Sequence, residues 1–137
     1  MSPSRLIRRL AIAAVAVLST LLVGTPASAA TDSTPPTAPQ WGYAEGFSCL
    51  TLIVGVVPST DNVTPQSQIG YVVDDDGVPI GSLVDRGNGP WATLVLRHTG
   101  PNMIAVQAID RAGNRSAFSR PVPVTGYFTL GCTPSHF

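Results

Sequence analysis

Lysine is absent from the 137 residues of this chain, cysteine occurs twice, and charged residues make up only 12% of it. Each shortage closes off a class of function. Without lysine, and with few arginines, no basic stripe exists to neutralise phosphates, so nucleic acid is excluded as a partner. Cys49 and Cys132 are accompanied by no Cys-x-x-Cys and no histidine pair. Zinc ligation is therefore without support, and no metal or other cofactor is expected. No Gly-x-Ser-x-Gly motif surrounds a serine. The only histidines, His98 and His136, fall in a loop and in the terminal tail, with no serine and carboxylate arranged around them. Glycoside hydrolysis needs two acids facing across a cleft, and a small domain of short strands lacks the long loops to build one. No catalytic residue is assigned, and the protein is read as a non-enzyme.

The N-terminus carries a different kind of signal. Arg5, Arg8 and Arg9 precede an apolar stretch from Leu10 to Val23, followed by Ala27-Ser28-Ala29. A basic start, a short apolar segment and a small-residue cleavage site define a helical secretory signal peptide over residues 1–29, cut after Ala29 or Ala30. The apolar run is shorter than the about 20 residues of a spanning helix, so no membrane association is expected after cleavage. The remainder is a secreted, extracellular domain. Five of the eight arginines then face eight acids, a net charge of −3. Export favours a disulfide between Cys49 and Cys132. Closing so long a loop stabilises a fold by about 4–5 kcal/mol in the chain-entropy account.

Helical periodicity of useful length is missing after the signal segment. Residues 30–39 are rich in Thr, Ser and Pro and read as an extended leader. Short apolar runs broken by turn residues follow over 40–125, the spacing of an all-β sandwich. Strands are expected at Gln40–Ala44, Ser48–Val57, Ile69–Asp75, Val78–Val84, Trp91–Arg97, Met103–Ile109 and Ser116–Thr125, seven in all. Leu50, Leu52, Val54 and Val56 alternate onto one face, as do Ile69, Tyr71 and Val73, and Ile104, Val106 and Ala108. Asp76-Gly77 marks a hairpin, whose returning strand is expected at an edge. Pro121 and Pro123 cannot donate to a ladder, which makes the last strand an edge as well. With alternating strand directions, Cys49 and Cys132 fall at the same end, and the tail 126–137 folds back across it.

These segments resemble bacterial fibronectin type III domains of the secreted actinobacterial type. The likeness rests on Pro35-Pro36-Thr37-Ala38-Pro39, Ser59–Val63, Tyr71-x-Val73 with Asp76-Gly77, and Ala108-Ile109-Asp110-x-Ala112-Gly113-Asn114-x-Ser116. It implies a seven-stranded antiparallel immunoglobulin-like sandwich working as a binding or accessory module beside polysaccharide-degrading enzymes. Two positions depart from the family: Val56 stands where it carries a Trp late in its second strand, and Ile104 where it carries a Tyr in its sixth. Gly100-x-Asn102-x-Ile104-x-Val106-x-Ala108-x-Asp110 is closer to bacterial immunoglobulin-like domains.

Four groups of side chains are candidates for chemistry. Asp61, Asn62, Asp110 and Asn114 gather at one end, as calcium ligands or, the favoured reading, as residues bonding their own turns. Asp74-Asp75-Asp76 reads as the solvated tip of a hairpin. Trp41, Tyr43 and Trp91 are read first as core fillers; with Tyr127 and Phe128 they offer an alternative, a platform for sugar rings. Arg86 and Trp91, in the loop Asp85–Trp91, are anchors of the kind found at binding hot spots. Arg86, Trp91, Tyr127 and Phe128 are the binding candidates. The expected partner is an extracellular polysaccharide or, for a secreted inhibitor or ligand-binding sandwich, an extracellular enzyme.

Overall fold

The computed structural model describes residues 31–132. The signal segment and His136 lie outside the described residues. Within them the chain is all-β: β1 Gln40–Gly46, β2 Thr51–Val57, β3 Gly70–Asp75, β4 Val78–Asp85, β5 Pro90–Val95, β6 Gly100–Ile109, β7 Arg115–Phe118 and β8 Val122–Gly126. Among the described residues no helix is long and apolar enough to cross a membrane.

The strands form one antiparallel sheet in the order β1-β2-β5-β4-β3-β6-β7, with β8 also paired to β6, and the sheet curls on itself so that two layers face each other. The hinge is β4. Its first part pairs with β3, from Asp75↔Val78 to Tyr71↔Leu83, and its end crosses over to β5 through Val84↔Trp91 and Asp85↔Pro90. The strand expected at an edge is therefore interior. A register shift between Val73 and Asp74 on β3 lets the ribbon bend there.

Eight strands replace the expected seven because the last one is broken. After β7 the chain leaves β6 at Ser119–Pro121 and returns as β8, paired from Ile104↔Val122 to Gly100↔Gly126. Hydroxyls fill the gap in the ladder. The Val106 N–H donates to Ser119 Oγ at 3.0 Å and the Ala108 N–H to Ser116 Oγ at 2.9 Å. Buried backbone donors are thus paired without a continuous strand.

Two facing rows build the core. Leu52, Val54 and Val56 of β2 meet Tyr71 and Val73 of β3 and Ile104, Val106 and Ala108 of β6, with Leu83, Leu96 and Val124 closing the sides. Each fully buried Leu, Ile or Val contributes about 1.5–3 kcal/mol relative to exposure. Among the aromatics, Trp41 and Tyr71 belong to this interior, Trp41 donating its indole N–H to the Arg120 carbonyl. Tyr43 and Trp91 do not, contrary to the core-filling expectation, for a reason visible in the register below.

The alternation of β3 continues past Val73 to Asp75, which is 0% exposed. The Arg97 N–H donates to Asp75 Oδ2 at 2.8 Å, tying the loop after β5 to the hairpin. Asp76 accepts from the Met103 N–H at 3.1 Å and pairs with His98 Nε2 at 2.8 Å. Asp74 is buried as well, and burial raises its carboxyl above the ordinary range against the lowering pull of Arg115. The reading of 74–76 as a solvated tip is corrected for Asp74 and Asp75, which are buried; Asp76 stays exposed in the turn as expected, while Asp75 and Asp76 brace the hairpin against the loop after β5 and against β6.

Cys49 and Cys132 are joined, with their Cα atoms 5.3 Å apart and 83 residues between them in sequence. Cys49 is not within a strand, as expected, but in a 3-10 turn over Ser48–Leu50, at φ 63°. The segment after β8 is fastened there by the Leu50 N–H on the Tyr127 carbonyl at 3.1 Å and by the Tyr127 hydroxyl on the Gly46 carbonyl at 2.9 Å. Tyr127, Phe128 and Leu130 stay exposed. Leu50, Gly126 and Val124 close that end instead.

Candidate functional site

Cross-strand partners in a sheet share a face. Trp41 pairs with Val56 and so points inward, but a register shift between Trp41 and Tyr43 turns Tyr43 outward, opposite Gly55. Gly55 in turn pairs with Trp91 and Trp91 with Val84. Tyr43, Gly55, Trp91 and Val84 therefore run as one row across β1, β2, β5 and β4 on the outer face of the sheet. The bulge is what separates the two neighbouring aromatics, and nothing in the local alternation announces it.

Gly55 lets this row lie flat. A Cβ there would meet the Tyr43 ring at 2.6 Å, so the phenol ring lies directly over the glycine. Tyr43 remains 44% exposed and Trp91 is half-buried. The Arg86 guanidinium stands 5.7 Å from the centroid of the Trp91 ring, a cation–π distance. Arg86 comes from the β4–β5 turn, which is tightened by the Gly87 N–H on Asp85 Oδ1 at 2.8 Å and by positive φ at Gly87 and Gly89. Beside the row lies an open cleft of ≈ 300 Å³, lined by Tyr43, Gly55, Val57, Asn88, Gly89 and Trp91. Val57, Val84 and Val95 add exposed apolar surface on the same face. The chemistry on offer is two aromatic faces, one cation and amide groups above a shallow floor.

The structure brings Arg86 and Trp91 together and adds Tyr43 and Gly55 to them. It does not bring Tyr127 and Phe128 to the same place, because they lie beyond β8 at the end where β2 begins, while Trp91 pairs near the end where β2 finishes. The loop Asp85–Trp91 folds its arginine back onto its own tryptophan and does not hold it out. Gly55 is the residue sequence reasoning passed over. Its signal was a glycine in a strand interior, which marks a close approach.

An all-β domain built on one antiparallel sheet that curls on itself, with aromatic side chains on its outer face, is the class these features define. The chain matches no protein-family profile, and no curated protein is significantly similar to it. Solved structures do share the fold. The Clostridium perfringens spore cortex lytic enzyme SleM aligns with a TM-score of 0.52 and 18% identity, over 67% of this chain and 29% of that one. A Yersinia enterocolitica family 28 exopolygalacturonase aligns with a TM-score of 0.50 and 13% identity, over 70% of this chain and 21% of that one. The fibronectin(III)-like modules of Clostridium thermocellum CbhA align at 0.45 and 21% identity, over 75% of this chain and 50% of theirs. This chain thus spans less than a third of the two enzymes, and what is shared with them is the fold.

Proposed function

We propose that this domain is a non-catalytic, fibronectin type III-like accessory module that holds extracellular polysaccharide on the outer face of β1, β2 and β5. The observation that carries the reading is the Tyr43–Gly55–Trp91 row. Sugar rings present apolar C–H faces that lie on aromatic rings, while their hydroxyls bond to neighbouring polar groups. Here the rings stand on a rigid sheet, Arg86 and Asn88 sit beside them, and Gly55 leaves the floor low. Rigid anchors lower the ordering cost of binding. The carbohydrate-active enzymes that carry the fold as one part of a longer chain support the same association, and the cystine fits an exported protein.

The test is retention of the purified, exported form on insoluble cellulose, chitin and pectin. Retention is expected on at least one. Trp91→Ala and Tyr43→Ala each weaken it by about tenfold or more. Gly55→Ala weakens it with both aromatics still present, because the new methyl displaces the Tyr43 ring. Tyr127→Ala leaves it unchanged. Loss on Tyr127→Ala alone would move the site to the opposite end. No retention, together with inhibition of a secreted hydrolase, would replace the reading with that of an inhibitor.

A further inference from the structure

At the end of the sandwich away from the cystine, three carboxylates from distant parts of the chain meet. One oxygen each from Asp32, Asp61 and Asp110 lies within 4.8 Å of the others. Asp32 comes from the segment before β1, Asp61 from the turn after β2, and Asp110 from the end of β6. Ligands of one Ca²⁺ sit at about 2.3–2.6 Å from it, so no two are more than about 5 Å apart. The cluster meets that limit.

How these carboxylates are bonded is the second, independent observation. Asp32 spends Oδ1 on the Thr34 N–H at 3.1 Å. Asp61 spends Oδ2 on the N–H groups of Val63 and Thr64 at 3.0 and 2.8 Å. The other oxygens, Asp32 Oδ2 and Asp61 Oδ1, are shut off from solvent and have no partner. Asp110, itself buried, accepts from the Asn114 N–H at 2.8 Å and from Asn114 Nδ2 at 2.7 Å, and the same Nδ2 donates to the Asp32 carbonyl at 3.1 Å. The turn bonds therefore exist, but they leave two carboxylate oxygens orphaned within a group of like charges. Among the described residues the one ion pair is His98–Asp76, at the other end, so no cationic side chain is ion-paired with the cluster. Buried, unpaired charge of one sign is costly unless a cation is supplied.

We propose that Asp32, Asp61 and Asp110 form a Ca²⁺ site that ties the segment before β1 to the end of the sandwich. The donors are all carboxylate oxygens, which selects a hard cation such as Ca²⁺. A surface hollow lined by Asp32, Val63, Thr64 and Arg111 lies beside the cluster. The favoured sequence reading, turn bonding alone, missed this because the third carboxylate stands in the leader, outside the expected domain.

The experiment is calorimetric titration of the purified, exported protein, stripped with EDTA, with CaCl₂ and separately with MgCl₂. One Ca²⁺ per chain is expected, with Kd in or below the range of about 10⁻⁴–10⁻³ M of extracellular modules. Saturating Ca²⁺ raises Tm by several degrees, and amide protection of residues 31–39 rises with it. Asp32→Asn, which lies off the sandwich and leaves its core intact, weakens Ca²⁺ binding at least tenfold, and Asp61→Asn does the same. No Ca²⁺ heat, an equal Tm rise with Mg²⁺, or full Ca²⁺ affinity in both variants overturns the site.

Discussion

At the end where β2 begins, the fold is held by one covalent link, Cys49–Cys132, backed by Asp75 on the Arg97 N–H, Asn102 on the carbonyls of His98 and Gly100, and Asp76 on His98. At the end where β2 finishes no cystine stands. There Tyr71 accepts the Ser59 N–H at 2.7 Å through its buried hydroxyl, Thr37 exchanges bonds with Thr60, and the aspartates cap their own turns. The first end resists opening because its cross-link limits the unfolded chain. The second resists because each buried donor there would lose its partner. One mechanism is nearly all-or-none and the other is graded, residue by residue.

Removing the cystine gives the largest effect. Cys49→Ser with Cys132→Ser lowers the unfolding free energy by up to about 4–5 kcal/mol, the loop-closure value for a loop of this length. Urea denaturation measures the loss, and native-state hydrogen exchange locates it. Protection falls first at Leu50 and Arg97, while the amides of Ser59 and Asn114 keep theirs. Uniform loss at both ends would show that the cystine supports the whole sandwich equally.

Tyr71→Phe probes the opposite end at intermediate size. It leaves the buried Ser59 N–H without an acceptor, at a cost of about 1–3 kcal/mol. The same urea experiment reads it, and the Cys49 amide is unaffected. A cost near zero would mean that the phenol bond adds nothing to the turn.

His98→Ala is the smallest change and depends on pH. The bond from His98 Nδ1 to the Thr99 carbonyl, and then the one to Asp76, raise the imidazole above its usual value. The His98 hydrogen bond, and then the Met103 N–H, lower Asp76. The raised histidine contributes fully below its ordinary value of about 6.5, and this is lost as pH climbs through the folded value. The lowered aspartate contributes above about 3.9, and this is lost as pH falls through its folded value. The pair therefore supports its end most between about pH 4 and 6.5. Tm of His98→Ala should trail the parent most in that window, and a gap independent of pH would discount the pair.

Much of this frame can be read from residue order. The alternation in Leu52–Val56, Tyr71–Val73 and Ile104–Ala108 locates the inner faces, since a strand has only two sides. Counting strand directions places Cys49 and Cys132 at one end, because each hairpin reverses the chain. Asp75 was legible by the same rule, two residues beyond Val73 on the inward side, and was hidden by reading three aspartates as a solvated group.

What the amino-acid order determined by itself was the two-sided pattern and the turns, which follow from local geometry, and the cysteine pairing, which follows from there being only two cysteines at one end of the alternating strands. Only the tertiary structure decided which aromatics meet solvent, because a single bulge between Trp41 and Tyr43 reverses every side chain after it in β1. It also decided that β4 joins the two layers and that Asp32 reaches Asp61 and Asp110. Those outcomes depend on register and on contacts between segments far apart in the chain, and no periodicity within a strand encodes them.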